Sequence, residues 1–498
     1  MRYLLLIYII FLFHVVVKGQ EMLGIVNSNY AGVHGVGLNP SSMVGSKLYM
    51  DYNLLTLNVS EDNNFFYLLR DDWYNLLFHN ITPVYYTQEG EVRSFKAHED
   101  DTYKSGYAGV RLLGPSAMMV YGKHAFGFAT AVRSQTSFTN LPPEIATFIY
   151  EAIDYEQLHN IRYSHDKTIK VGSLSWLELD FSYAYNFHRY RYKSWSAGIT
   201  VKPLIGITST YMNIYNLDYT VLSDTTASIY NVTFDYGYSL PVDYETGHFR
   251  DGPLVRGFGF GVDLGVTFMS TTKGHSNYSF GSLCEQSYED YNYRIGISLL
   301  DVGYIKFNKK TYYRGYKNSS TNWYEPIDTL PGNTLNEINK KLEYYFYDNA
   351  EEVVTEDAYV MNLPPALSVQ FDYPLRRYLF LNGTVIYGFN LGKSYIKRPS
   401  ILAFTPRYET NRMEVSIPIS IYEWVWGTPR IGFYFRYGNF FFGFDKINTI
   451  IGLNDFTGLD FYIGLKLNLS NNFRMNFIKG YCQDKRLKDI ETFDYRNF

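Results

Sequence analysis

The side chains that could carry chemistry are few and scattered. Glu178 and Asp180 stand two residues apart, an acid pair of the kind a general acid–base scheme uses. On a strand that spacing puts both on one face. They read better as neighbours on an inward face, paired to Arg or Lys across a lumen. His159 and His165 lie six apart in an expected loop, and no His-x-x-x-His pair, nucleophile elbow or phosphate loop occurs. Cys284 and Cys482 are far apart and without metal-ligand spacing, so no zinc site and no disulfide framework is expected. No enzyme, metal or cofactor is expected. With 45 Lys and Arg against 49 Asp and Glu, net charge −4, a nucleic-acid partner is excluded as the main one.

The elements that would position such residues are strands. The chain has 498 residues with 50 Tyr, 36 Phe and 39 Gly, and only 19% are charged. That composition is too apolar and aromatic for disorder and favours β-structure. In 458–469 the odd positions read Leu459, Phe461, Ile463, Leu465, Leu467 and Leu469, and the even ones include Asp460, Tyr462, Gly464 and Lys466. Leu177, Leu179, Phe181 and Tyr183 stand opposite Glu178, Asp180 and Ser182. Phe258, Phe260, Val262, Leu264 and Val266 stand opposite Gly259, Gly261, Asp263 and Gly265. Met413, Val415, Ile417, Ile419 and Ile421 stand opposite Glu414, Ser416 and Ser420. Such alternation fits a soluble sandwich or a membrane barrel with an apolar outside and a polar lumen.

Strand length and turns favour the barrel. Alternation marks strands near 47–58, 106–121, 124–137, 171–186, 193–206, 256–270, 291–307, 364–373, 377–389, 399–408, 413–423, 429–437, 440–448 and 458–469. Many reach ten residues, the length a tilted membrane strand needs. If the first runs outward, the short turns after 121, 186, 373, 408 and 437 all fall on the periplasmic side. The long segments 59–105, 138–170, 207–255 and 308–363 all fall outside. The connection 271–290 is long for its side, and Ile229–Tyr238 is strand-like within 207–255, so sixteen strands stay open. Helical patches are expected at Pro143–Leu158 and Thr334–Tyr347. The stretch around Glu351, Glu352, Glu356 and Asp357 is expected to be a solvated acidic loop.

The N-terminus has the form of an export signal: Met1-Arg2, an apolar run Tyr3–Val17, and cleavage near Gly19. A membrane anchor would need a longer run. The expected order is a signal peptide over 1–19, a lead-in or plug over 20–46, a barrel over 47–469 and a periplasmic tail over 470–498.

Four patterns, taken in order, resemble a known family. They are Gly37-Leu38-Asn39-Pro40-Ser41-Ser42, then Gly259–Phe268, then Ile297–Ile305, and last Phe442-Gly443-Phe444-Asp445-Lys446 followed by Asp460–Lys466. The family is a group of Bacteroidota outer-membrane barrels of unknown function. It is distantly similar to the fatty-acid transporter type and to the barrel that shuttles cargo in type nine secretion. The resemblance covers roughly residues 22–469. It implies passive uptake of small hydrophobic molecules and a plug at the N-terminal end, where Gly35, Gly37, Asn39 and Pro40 are the plug candidates. Some relatives carry a peptidoglycan-binding domain after the barrel. This chain has only Ser470–Phe498 there, so anchoring by that route is not expected.

The reading is therefore an all-β fold, an antiparallel transmembrane β-barrel of about 14 strands (12–16) with long extracellular loops. The lumen-lining candidates are Glu178, Asp180, Lys202, Asp263, Arg294, Asp372, Glu414, Arg430, Arg436, Asp460 and Lys466. Their mixed signs suggest a bonded network and not a single-sign pore. Tyr462, Gly464, Leu467 and Leu469 resemble the insertion signal read by the barrel-assembly machinery. Expected partners are outer-membrane lipids, that machinery, and either a small hydrophobic ligand or an envelope protein. The alternative role is a closed scaffold in an envelope or secretion complex. A lateral opening and a greasy pocket favour transport; a sealed wall and a lumen of paired charges favour the scaffold. Ile417→Arg is expected to cost about 2–4 kcal/mol at the lipid face, and Ser416→Arg much less.

Overall fold

The computed structural model describes residues 21–79, 94–153, 155–246, 252–275, 291–324, 334–376, 378–394, 396–453 and 455–470. The expected signal peptide, Gln20, both cysteines and the tail beyond Ser470 lie outside them.

Thirteen stretches of chain build the wall, and one of them is a hairpin, so fourteen staves close the ring among the described residues. They are β1 (Leu48–Asn63), β2 (Lys104–Leu113 continued by Ser116–Tyr121) and β3 (His124–Leu141). The hairpin Ile169–Val221 supplies β4, whose residues 170–185 pair with β3, and β5, whose residues 191–206 pair with β6 (Gly257–His275). The ring continues with β7 (Tyr291–Phe307), β8 (Ala366–Arg376), β9 (Leu379–Gly388) and β10 (Ile401–Glu409). It ends with β11 (Met413–Ser416 and Ile419–Tyr422), β12 (Arg430–Ile431 and Phe433–Tyr437), β13 (Phe440–Phe444) and β14 (Asp460–Ser470). Among the described residues the pairings are antiparallel, and β14 closes on β1 from Leu48↔Ser470 to Ser60↔Asp460.

Closure explains why every strand alternates. It removes the sheet edges, so main-chain donors and acceptors are met within the wall, and side chains must go in or out. Phe260, Ile417 and Leu465 point outward and are 48%, 44% and 48% exposed. Asp263, Glu414 and Lys466, on the same staves, and Glu178 on β4 are fully buried. An apolar outer face around a polar interior is the reverse of a soluble sandwich and suits hydrocarbon. No described helix is long and apolar enough to cross a membrane.

The short turns gather at one end and the long connections at the other. At the long end the sheet continues beyond the ring. The upper part of β5 pairs with Ala227–Ser239, that strand with Tyr312–Trp323, and that with Glu352–Glu356. Phe234, Tyr236, Tyr316, Trp323, Tyr345 and Phe346 form the core of this extension, covered by the helix Leu335–Phe346. Because Ala227–Ser239 pairs above the ring, it adds no stave, and the count stays at fourteen.

Several boundaries differ from the alternation. β13 stops at Phe444 instead of running to 448, because Asp445 and Lys446 turn inward to buried partners and a helix starts at Ile447. β11 is broken at Pro418, which has no N–H to give the ladder. The acidic stretch after Ala350 is no loop throughout: Glu352–Glu356 is a strand paired to Tyr313–Lys317, with its Glu side chains in solvent. β6 runs on to His275, and residues 276–290, the connection that looked too long, are outside the described ones. The expected helical patches form as Pro143–Glu151 and Leu335–Phe346. A helix at Arg70–His79 has no counterpart in the alternation.

Candidate functional site

Residues 21–46 enter β1 from its short-turn end and occupy the interior of the ring. The segment is irregular, with one helical turn at Val33–Val36 and a 3-10 turn at Pro40–Gly45 capped by Asn39, whose side chain accepts from Ser41 N. Pro40 at the first position of that turn needs no N–H partner. The sequence is poor in charge, yet its groups meet the charged wall almost all the way round. Val33 N donates to Asp51 on β1 (2.8 Å), and His34 Nε2 lies 3.0 Å from the Thr56 hydroxyl. Leu23 N donates to Asp445 (2.7 Å), and Gly24 N to the Tyr462 hydroxyl on β14. Ser416 on β11 donates to Gly24 O (2.8 Å), and Ser298 on β7 to Leu38 O (2.6 Å). Asn27 reaches Thr384 on β9 (2.9 Å), and Asn39 reaches Gln370 on β8 (3.0 Å). Lys466 donates to the carbonyls of Tyr30 and Ala31.

Glycines on the wall set how closely the segment lies. Gly198 on β5 and Gly265 on β6 form its floor at Asn39-Pro40-Ser41. A Cβ at Gly198 would stand 2.5 Å from Ser41 N and 2.6 Å from the Pro40 carbonyl carbon. A Cβ at Gly265 would collide with the Asn39 amide oxygen. This close approach is the structural use of Gly265 in the Gly259–Phe268 pattern; Gly259 and Gly261 of it meet Ile305 and Leu363 instead.

The inward charges form clusters around the segment. In the first, Asp301 is shared by three cations: Arg133 (3.0 Å), Lys202 (2.8 Å) and Arg398 (3.2 Å). Lys202 also meets Asp263 (2.7 Å), Arg133 meets Glu178 (3.3 Å), and Arg398 holds Glu21 of the segment with two hydrogen bonds. In the second, Arg407 forks onto both oxygens of Asp372 (2.8 Å each) and reaches Glu409 (3.0 Å). Lys47 and Asn29 meet the same Glu409, and Arg294 lies 3.4 Å from Asp372. Elsewhere Arg436 pairs with Glu414 (3.2 Å), and Asp62 holds both Arg430 and Lys446. Such buried charges are tolerable only when paired and hydrogen-bonded.

Of the eleven inward candidates, Arg294 and Arg430 are partly buried and the other nine are buried. Asp180 lies 4.0 Å from Arg111, and Asp460 is buried with no ion pair among the described residues. Gly35, Asn39 and Pro40 are buried, and Gly37 partly so, against Arg111. Tyr462 is wholly buried under the segment and rings with Tyr434 (6.1 Å), whereas Leu467 is 43% exposed; the Leu469 side chain is outside the described ones. His159 and His165 lie apart from the lumen: His159 Nε2 bonds the Ile153 carbonyl and His165 bonds Glu144.

The alternation did not single out Arg133, Arg398, Arg407, Glu409 or Asp301. Arg133, Arg407 and Glu409 follow the period and could have been read from it. Asp301 could not. It has φ +52° at a register shift between β6 and β7, and this bulge sends inward a residue that strict alternation sends out. Arg398 lies in the connection before β10, where no period applies.

Among solved structures, the chain is similar to a TodX monoaromatic hydrocarbon channel mutant (TM-score 0.42, 8% identity, 91% of this chain, 99% of that one). It is similar to the Ralstonia pickettii toluene transporter TbuX (TM-score 0.38, 9% identity, 92% and 100%). It is similar also to a Pseudomonas aeruginosa FadL homologue (TM-score 0.29, 10% identity, 90% and 97%). No curated protein matches. The family model described as a family of unknown function, DUF5723, matches residues 40–445, from the foot of the internal segment to the inward turn after β13, and the chain belongs to that family.

Proposed function

We propose that the protein is a bacterial outer-membrane β-barrel whose lumen is closed by its own N-terminal segment, and that it works as a closed barrel. In this role it presents the aromatic extension at its extracellular end to a protein of the envelope or of a secretion complex. The observation that carries the reading is the seating of residues 21–46 against β1, β7, β8, β9, β11 and β14 by hydrogen bonds, inside a ring of paired charges. Among the described residues, three cavities beside the segment have volumes of about 40, 20 and 20 Å³. That is room for a few waters, and far below the roughly 150 Å³ a benzene-sized guest takes. The apolar outer face would contact outer-membrane lipids, and β14, with Tyr462, Gly464, Leu467 and Leu469, would be what the barrel-assembly machinery reads.

The test is purification of the full chain from native outer membrane after mild cross-linking, with mass spectrometry of what co-purifies, beside planar-bilayer recording. Stoichiometric envelope partners and no steady conductance are expected. A barrel without partners that loads a hydrophobic dye into vesicles would overturn this reading.

A second reading is passive uptake of small hydrophobic molecules. One observation favours it: the internal segment continues into the wall only at Ser46–Leu48, so it could swing without breaking the ring. On that reading, deleting Gly24–Gly37 with the signal kept raises outer-membrane permeability to a small antibiotic while the barrel stays folded.

A further inference from the structure

The internal segment does not meet the two halves of the wall alike. Toward β11–β14 the contact is mainly side-chain packing, although the Tyr434 hydroxyl and Glu414 Oε1 on that side make no hydrogen bond to the protein. Leu23, Ile25 and Val26 pack with Tyr434, Phe441 and Tyr462, and a Cβ on Gly24 would overlap Tyr434. Toward β2–β9 lies a chain of small cavities. The first is lined by Asn27, Ser42, Asp372 and Asn382 among others and reaches Ser46 at the foot of the segment. The second is lined by Glu21, Arg111, Gln135 and Arg398 and reaches the head. The two share Val26 and Leu38. The third, with Asp180, Ser182 and Thr200, joins the second at Gly37 and Arg111.

Three side-chain atoms on this path make no hydrogen bond to the protein: Arg111 Nε, Gln135 Oε1 and Asp180 Oδ1. Gln135 and Asp180 are 4% and 6% exposed. A buried polar atom left so is costly unless a small ligand meets it. The ligand must be small, since the cavities measure about 40, 20 and 20 Å³. It must also both donate and accept, since a guanidinium nitrogen and two oxygens await it. Four acids (Glu21, Asp180, Asp263, Asp301) and four bases (Arg111, Arg133, Lys202, Arg398) line the second and third cavities, so no net charge calls for a counter-ion.

We propose that this side of the segment is a hydrated seam, a connected set of water sites running from Ser46 to Glu21. It rests on the closed-lumen reading and adds a direction to it. On the β2–β9 side the seam keeps charges solvated as segment and wall separate, so the segment parts from the wall there.

Methionines give a test that burial alone does not confound. Met22 and Met118 line the seam, whereas Met43 and Met361 line none of the three cavities. All four are at most 2% exposed. The full-length folded barrel, in detergent or lipid, is exposed to hydroxyl radicals generated in water by short X-ray pulses, and oxidation is read by mass spectrometry. Met22 and Met118 are expected to oxidise severalfold faster than Met43 and Met361. Protection of all four overturns the seam and leaves the closed barrel standing. A silent Met22 or Met118 breaks the path and overturns its continuity. Equal, fast oxidation of all four means a lumen open to bulk water, which overturns the closed barrel itself.

Discussion

Gly198→Ala should loosen the internal segment without opening the wall. The new methyl carbon would lie 2.5 Å from Ser41 N, 2.6 Å from the Pro40 carbonyl carbon and 2.8 Å from Ser41 Cα. All three are backbone, so no rotamer change relieves the clash, and the segment itself must shift. Overpacking of this kind costs about 1–3 kcal/mol. At about 1.4 kcal/mol per tenfold, the ratio of seated to lifted segment falls by roughly 5- to 150-fold. Two other glycines calibrate the effect. At Gly127 the nearest atoms are Met43 Sδ and Ser182 Cβ, both at 3.2 Å; these are side chains and not backbone, and yield for about 1 kcal/mol. At Gly383 nothing lies within 4 Å. The assay is limited proteolysis of the folded barrels, scored by cuts within residues 21–46, with heat-modifiable gel mobility to show that the wall is intact. Cutting should rise in the order Gly383→Ala, Gly127→Ala, Gly198→Ala. Equal cutting in Gly198→Ala and Gly383→Ala, with both barrels folded, would refute the close seating.

Asp301→Asn leaves Arg133, Lys202 and Arg398 short of a shared anion; removing one partner of a buried pair costs about 3–5 kcal/mol, and a lower unfolding midpoint in denaturant would show it. Ile417→Arg, on the exposed apolar face, should cost about 2–4 kcal/mol of insertion stability, measured by folding into vesicles. Ser416→Arg is no tolerant control, contrary to what alternation suggested: Ser416 is fully buried with its hydroxyl on Gly24 O, so the mutant should lose the seated segment as well, and wild-type protease resistance would count against this. Asp100 sits in a connection outside the wall. Its partial burial raises its pKa, but hydrogen bonds from Lys104 and Thr102 outweigh that and hold it at about 2. Its contribution to local order is therefore present at neutral pH and lost only as pH falls from about 4 toward 2, which amide exchange at 100–104 can follow.

The wall was legible because closure imposes one rule on every stave: apolar out, polar in. That rule placed Phe260, Ile417 and Leu465 outside, and Glu178, Asp263 and Glu414 inside. It failed where the backbone leaves the rule. The bulge at Asp301 reverses parity over one residue, and it delivers the carboxylate at the centre of the largest charge cluster. Pro418 interrupts β11 while the faces on either side stay in phase, so the break was hidden in the pattern. β13 ends early because Asp445 and Lys446 find partners in Leu23 and Asp62, residues nearly the whole chain away, which no local window contains. The helix Arg70–His79 holds by contacts such as Trp73 on the Ile450 carbonyl and on the Phe456 ring, again distant in sequence.

The internal segment poses the opposite puzzle: a nearly uncharged peptide surrounded by ionised side chains. Its irregularity resolves this. A helix or strand would spend its main-chain groups on itself or on a neighbouring strand. A chain of short turns leaves them free to face outward. Asp445 takes Leu23 N, Asp51 takes Val33 N, and Glu409 takes Asn29 N. In the other direction Lys466 donates to Tyr30 and Ala31 carbonyls, and Arg294 to the Asn27 carbonyl. The backbone thus meets wall charges of both signs while adding almost none of its own. The wall keeps its balance of paired acids and bases, and small residues such as Gly24 and Gly32 let the main chain come close enough to do so. The low charge of this stretch, which marked it in the sequence as something other than a solvated tail, is thus compatible with a charged lumen because its backbone does the hydrogen bonding.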